Sequence, residues 1–184
     1  IRLGHPDFHI RHIRPAPPTY PLSAKNLLSL RHMANIVWTT KGGVSMPPID
    51  PVRLEQWLTD VARAHNRIVG PITYIFCDDS TILDVNREFL GHDYFTDIIT
   101  FDDTLGRRIS GDIFISLDTV ASNAADVSHR PEYEELHRVI AHGVLHLCGI
   151  NDKGPGEREI MQQHEDEALK LLNLGPLASD SDSQ

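Results

Sequence analysis

The run from Leu136 to Asn151, LHRVIAHGVLHLCGIN, constrains this chain more than any other stretch. Its apolar residues Leu136, Val139, Ile140, Val144, Leu145 and Leu147 recur at helical spacing, and His142 and His146 stand four apart among them. At 3.6 residues per turn the second imidazole returns to nearly the azimuth of the first, with Cβ atoms roughly 5–6 Å apart. Two ring nitrogens so placed can converge on one metal ion. The periodicity stops at Gly149, a residue able to take the left-handed conformation that closes a helix. The chain is then free to turn back and bring the Asp152 carboxylate, six residues past His146, to the same ion.

Two neutral imidazoles and a carboxylate make three protein ligands, which on zinc leave a fourth position for water, as catalytic zinc sites do. A competing reading has the two histidines hydrogen-bonded and metal-free on a partly buried helix face. His164, further along, is a rival to Asp152 as third ligand, and the shorter tether favours Asp152. His137 lies about 140° off the ligand face and Cys148 about 200° past His146, so neither is expected to reach the ion. The histidine spacing is that of the metzincin proteases, but those enzymes place a glutamate general base directly after the first histidine, where this chain has Gly143. A protease mechanism therefore lacks its proton acceptor. With no general base legible, a metal-activated water is the expected nucleophile.

The segment HGVLHLCG, residues 142–149, resembles the HGxLHLxG signature of the YbeY-type endoribonucleases, bacterial rRNA maturation factors. TDIITFD (96–102) and GDIFIS (111–116) look like that family's strands before the site, and Met161, Glu165 and Glu167 fit its last helix. The resemblance runs from about Ile72 to Leu172. It implies a single-strand-specific, metal-dependent endoribonuclease, with one Zn2+ per chain, that matures the 3′ end of 16S rRNA and serves ribosome quality control. The implied partners are single-stranded rRNA, ribosomal particles, and a ribosomal or GTPase protein. It further implies that Thr96, Asp97, Thr100 and Asp112 form one wall of the substrate groove; as residues alone, Asp97, Thr100 and Asp112 fit equally well as solvent-facing or turn-capping positions. Two positions depart from the family. The motif ends GIND rather than GYDH, which puts aspartate at the third ligand, and Leu90 stands where an arginine is common. Arg87, one turn earlier, is a substitute on spacing alone. A non-catalytic ribosome-assembly factor with a metal-stabilised fold, or a metal hydrolase of another substrate, are the alternatives.

The net charge of −9 opposes binding to phosphates unless cations gather locally. Arg87, Arg107, Arg108, Arg130, Arg138, Lys153 and Arg158 are the residues available for such a cluster. No run approaches the roughly 18 apolar residues that span a bilayer, so a cytoplasmic protein is expected. Cys77 and Cys148 read as small buried hydrophobes.

The pattern of strands and helices, β-α-β-α-β-β-α-α-α, predicts an α+β sandwich: a mixed four-stranded sheet packed against about five helices, with the metal-site helix central. Strands are expected at 36–40, 72–77, 96–102 and 108–116. Asp50-Pro51 opens a helix carrying Leu54, Trp57, Leu58 and Val61; Ser80 caps a second helix, through Phe89; a third runs from Leu117 to Val127; Pro131 opens the metal helix; the last covers 157–172. Residues 33–173 are expected to form one domain and 174–184 a disordered polar tail. Residues 1–32 carry five basic residues against one acid, with five prolines, and are expected to be a disordered leader, with Met33 as the natural start. Limited proteolysis checks this: a leader as resistant to cleavage as the core would rule it out.

Overall fold

The computed structural model describes residues 35–172; the leader and the polar tail lie outside them. Four strands, β1 (Ile36–Thr40), β2 (Ile68–Cys77), β3 (Ile98–Asp102) and β4 (Arg108–Ser116), form one mixed sheet in the order β1-β2-β4-β3. β1 and β4 run parallel to β2, and β3 runs antiparallel to β4. The helices are α1 (Pro51–Ala64), α2 (Asp79–Val85), α3 (Leu117–Asn123), α4 (Glu132–Leu147) and α5 (Glu157–Leu172). This is the α+β architecture that the residue pattern predicts.

The differences from expectation are local. β2 begins four residues early and passes through Gly70-Pro71, where its register against β4 shifts between Val69 and Ile72. A bulge is the one place inside a sheet that accepts a proline, which has no N–H to give the ladder. Asp78, not Ser80, caps α2: its carboxylate accepts from Thr81 N, while the Ser80 hydroxyl donates to Asp78. α2 and α3 each end in a wide π turn, Asn86–Leu90 and Ala124–Ser128. His65 closes α1, as its place at the end of the amphipathic run suggests.

One face of the sheet, through Ile72, Tyr74, Phe76, Ile98, Ile109, Ile113 and Ile115, packs with α1, α4 and α5 into the main core. A smaller cluster of Cys77, Ile82, Val85, Leu90 and Ile99 fills the opposite face under α2. α4 is central, and every residue from Val139 to Leu147 is buried. It is pinned by the Tyr74 hydroxyl, which donates to the Ile140 carbonyl at 2.8 Å. α1 is tied to α5 by Trp57 Nε1, which donates to the Ala168 carbonyl at 2.7 Å. Among the described residues no helix is long and apolar enough to cross a membrane.

Gly143 explains how close α4 lies to the sheet. A Cβ there would sit 2.9 Å from Ile113 Cγ2 and 3.1 Å from Ile98 Cδ1. The position that holds the general base in metzincins thus faces the core, with no room for any side chain. Gly143→Ala should gain about 1 kcal/mol of helix propensity but lose more by overpacking, typically about 1–3 kcal/mol. A lowered urea midpoint is expected. An unchanged or raised midpoint would mean that the two isoleucines yield freely.

Candidate metal centre

α4 ends in a Schellman turn. Ile150 N donates to the Leu145 carbonyl at 3.0 Å, Gly149 N to the His146 carbonyl at 2.9 Å, and Gly149 takes φ +95°. Arg67 completes the cap, with Nε and Nη2 donating to the Cys148 carbonyl at 3.2 and 2.9 Å. The turn reverses the chain so that Asp152 comes back over the last turn of the helix. His142, His146 and Asp152 then present ligand atoms that all lie within 4.8 Å of one another. No fourth His, Cys, Asp or Glu joins them among the described residues.

Each ring is oriented from behind. His142 Nδ1 donates to Glu165 Oε1 at 2.6 Å, and His146 Nδ1 donates to the Ile150 carbonyl at 2.9 Å. Both acceptors fix the tautomer and turn the Nε2 atoms toward Asp152 Oδ2, at 3.7 and 3.8 Å. Those separations exceed a hydrogen bond and lie near the roughly 3.3–3.5 Å between ligands of a tetrahedral zinc with bonds of about 2.0–2.1 Å. Asp152 Oδ1 is buried without a hydrogen-bond partner. Two nitrogens and a carboxylate in this disposition fit one divalent ion.

Burial, with the neighbouring His142, lowers the pKa of His146 to about 3, so the ring is neutral and able to act as a ligand. Burial opposes the charge on Glu165, but the hydrogen bond from His142 and the nearby Arg138 guanidinium outweigh it and hold the carboxyl below its ordinary range. Arg138 is itself buried, which disfavours its charge; Glu135, Glu165 and Asp97 more than compensate and keep it firmly protonated.

A cavity of about 670 Å³ opens onto His142 and Asp152. Of the cations singled out from the sequence, Arg130, Arg138, Lys153 and Arg158 line it, against the acids Asp97, Glu135, Asp152, Glu159 and Glu165. Arg87 is not among them: it pairs with Asp93 at 2.6 Å on the surface. Leu90 is buried in the smaller core. His164 lies against His65 and Glu167, outside the metal cluster, and Met161 is buried beside the cavity.

The four residues expected on a groove wall separate. Asp97 lines the cavity. Thr96 is buried with its hydroxyl donating to the Ile98 carbonyl, and Thr100 is buried on the α4 side of β3. Asp112 is exposed on β4 and, alternating with the buried Gly111 and Ile113, points away from α4. It takes no part in the cavity. The residue that sequence reasoning missed is Glu165, read only as fitting a pattern in the last helix; its contact with His142 spans 23 positions and left no local signal.

A mixed sheet backed by a helix with two convergent histidines, and a carboxylate just past the helix end, defines an α+β protein with a three-residue cluster able to hold a metal ion, two of whose members, His142 and Asp152, line a cavity. The family model described as Endoribonuclease YbeY matches residues 48–173. The chain is 60% identical to the Endoribonuclease YbeY of Phocaeicola vulgatus over 132 residues, covering 72% of this chain and 95% of that protein. It is 57% identical to that of Parabacteroides distasonis, covering 70% and 90%, and 56% identical to that of Bacteroides thetaiotaomicron, covering 70% and 93%. A solution structure of a Thermotoga maritima protein shares the fold, with a TM-score of 0.51 and 24% identity over 74% of this chain and 88% of that one. The chain belongs to the Endoribonuclease YbeY family.

The buried His146 makes a pH prediction. Its folded pKa, about 3, lies below the ordinary 6.5, so the unfolded chain takes up a proton first as pH falls. The stability it contributes is complete above 6.5 and is lost between there and about 3. Metal-free protein should lose about 2 kcal/mol from this group between roughly pH 7.5 and pH 5. Urea titrations should show a shallower pH slope for His146→Gln; parallel slopes would refute the assignment.

Proposed function

We propose that this chain is a zinc-dependent endoribonuclease that cuts single-stranded rRNA, acting in 16S rRNA 3′-end maturation and ribosome quality control. Family membership supports the reaction class. The observation that supports the metal dependence is the convergence of His142, His146 and Asp152, with ligand atoms within 4.8 Å of one another, beside a cavity that His142 and Asp152 line. Zinc held there would lower the pKa of a bound water toward about 7 and neutralise charge growing on the phosphate.

The chain's own residues do the rest. Glu165 and the Ile150 carbonyl hold the two rings in the ligating tautomer. Gly143 lets α4, and with it both histidines, lie close against the sheet. Lys153, next to Asp152, and Arg158, in the first turn of α5, border the cavity and would contact the RNA backbone in this reading. Asp97, just before β3, contributes a carboxylate to the lining of the same cavity. The acids in the same cavity make the bound cation necessary to phosphate attraction, since without it the lining has no positive excess. Binding to ribosomal particles, through ribosomal or GTPase proteins, and a cytoplasmic location belong to the same reading.

Purified protein incubated with single-stranded rRNA tests it. Cleavage is expected to vanish with chelator, to return with zinc, and to fall at least about 100-fold in His146→Ala. Cleavage that ignores the chelator, or metal-loaded protein that binds rRNA and cuts nothing, would favour a non-catalytic assembly factor instead.

A further inference from the structure

The His142 ring is held by Glu165, and Glu165 is in turn held by the guanidinium of Arg138. Arg138 stands one turn before His142 on α4. Its Nη1 donates to Glu165 Oε1 at 2.9 Å, the same oxygen that accepts from His142 Nδ1 at 2.6 Å. Its Nε and Nη2 donate to Glu135 Oε1 at 3.1 and 2.7 Å, and Nη2 lies 3.6 Å from Asp97 Oδ2. One guanidinium therefore spans a carboxylate on its own helix, one on α5 and one at the entry to β3. All three carboxylates are nearly fully buried, at 1%, 5% and 7% exposure.

Charge makes the arrangement specific. Three buried carboxylates surround a single buried cation, and a carboxylate so desolvated must be paired to stay in place. Glu165 has two ways of finding a partner: a fixed guanidinium, or rotation toward solvent in the cavity it lines. With Arg138 present, its Oε1 is pinned where the imidazole N–H needs it. Without Arg138, the repulsion from Glu135 and Asp97 favours the second course. The planar fork of arginine can grip several acceptors at once, whereas an ammonium acts as a point charge.

We propose that Arg138 is a positioning residue for the metal centre: by clamping Glu165 against Glu135 and Asp97 it fixes the orientation of His142, and so sets metal affinity. The proposal rests on the metal-site reading of His142, His146 and Asp152. It assigns Arg138 to the support of a ligand and not to the RNA.

Metal affinity measured by chelator competition tests the proposal, with the visible spectrum of the cobalt-substituted protein as a second readout of ligand geometry. Glu165→Ala should weaken zinc binding by about 10–100-fold, the usual cost of losing such a partner, and Glu165→Gln, which can still accept from Nδ1, by less. Arg138→Met should cause a loss similar to that of Glu165→Ala. The double variant should be no weaker than Glu165→Ala alone, because both substitutions break the same chain of contacts. Arg138→Lys retains the buried charge if Arg138→Met fails to fold; it should still shift the cobalt bands and weaken zinc binding several-fold.

Folded Arg138 variants with wild-type affinity and spectrum would overturn the proposal, as would losses that simply add. Cleavage lost with metal binding intact would place Arg138 on the RNA and overturn it equally. Wild-type protein that binds no zinc, or binding that survives His146→Ala, would remove the metal reading and this inference with it.

Discussion

Two imidazoles inside a hydrocarbon core are the constraint on which the rest of this structure depends. α4 is buried along its whole second half, so His142 and His146 carry polar nitrogens into a largely apolar core. Each ring has one N–H that must be satisfied and one lone pair left to use. Glu165 and the Ile150 carbonyl accept the two N–H groups, which leaves both lone pairs directed at Asp152. Burial keeps His146 from taking up a proton at neutral pH, so the same environment that makes a charged ring costly maintains a ligand.

Satisfying those nitrogens recruits parts of the chain with no other reason to meet. The Schellman turn at Gly149 ends the helix, supplies a carbonyl to His146 and aims Asp152. α5 contributes Glu165, and its own position is set by the Trp57 bond to Ala168 and by Arg53, which donates to the Leu172 carbonyl at 3.1 Å. On the opposite side Gly143 lets the sheet approach, so the metal helix is held from both faces. A cation held by His142, His146 and Asp152 would shift the charge balance of a cavity whose lining mixes acids with arginines and a lysine.

Much of this was legible in residues close in sequence. The i, i+4 histidines, the glycine stop and the returning aspartate form a local motif, and helical periodicity marked α1 and α4 because each hides one stripe against the sheet. Turn chemistry was less readable. Asp78 and Ser80 are both good caps, and only the backbone path decides between them. Gly70-Pro71 looks like an interruption, yet the strand continues through it as a bulge. Strand faces were open as well: alternation says that Thr100 and Asp112 occupy particular faces but not which face meets α4, and β3 pairs Thr100 with Ile113, putting Asp112 on the far side.

Spacing within one helix and short motifs in series were enough to single out His142, His146 and Asp152 as candidate ligands, to order the elements and to point to the family. What stands behind those three side chains came from packing. Glu165 reaches His142 across 23 positions and Arg138 reaches from α4 to Asp97 just before β3, and contacts of that kind follow from how α5 and β3 pack on α4. Periodicity fixes the face a side chain points from; packing alone fixes what it meets.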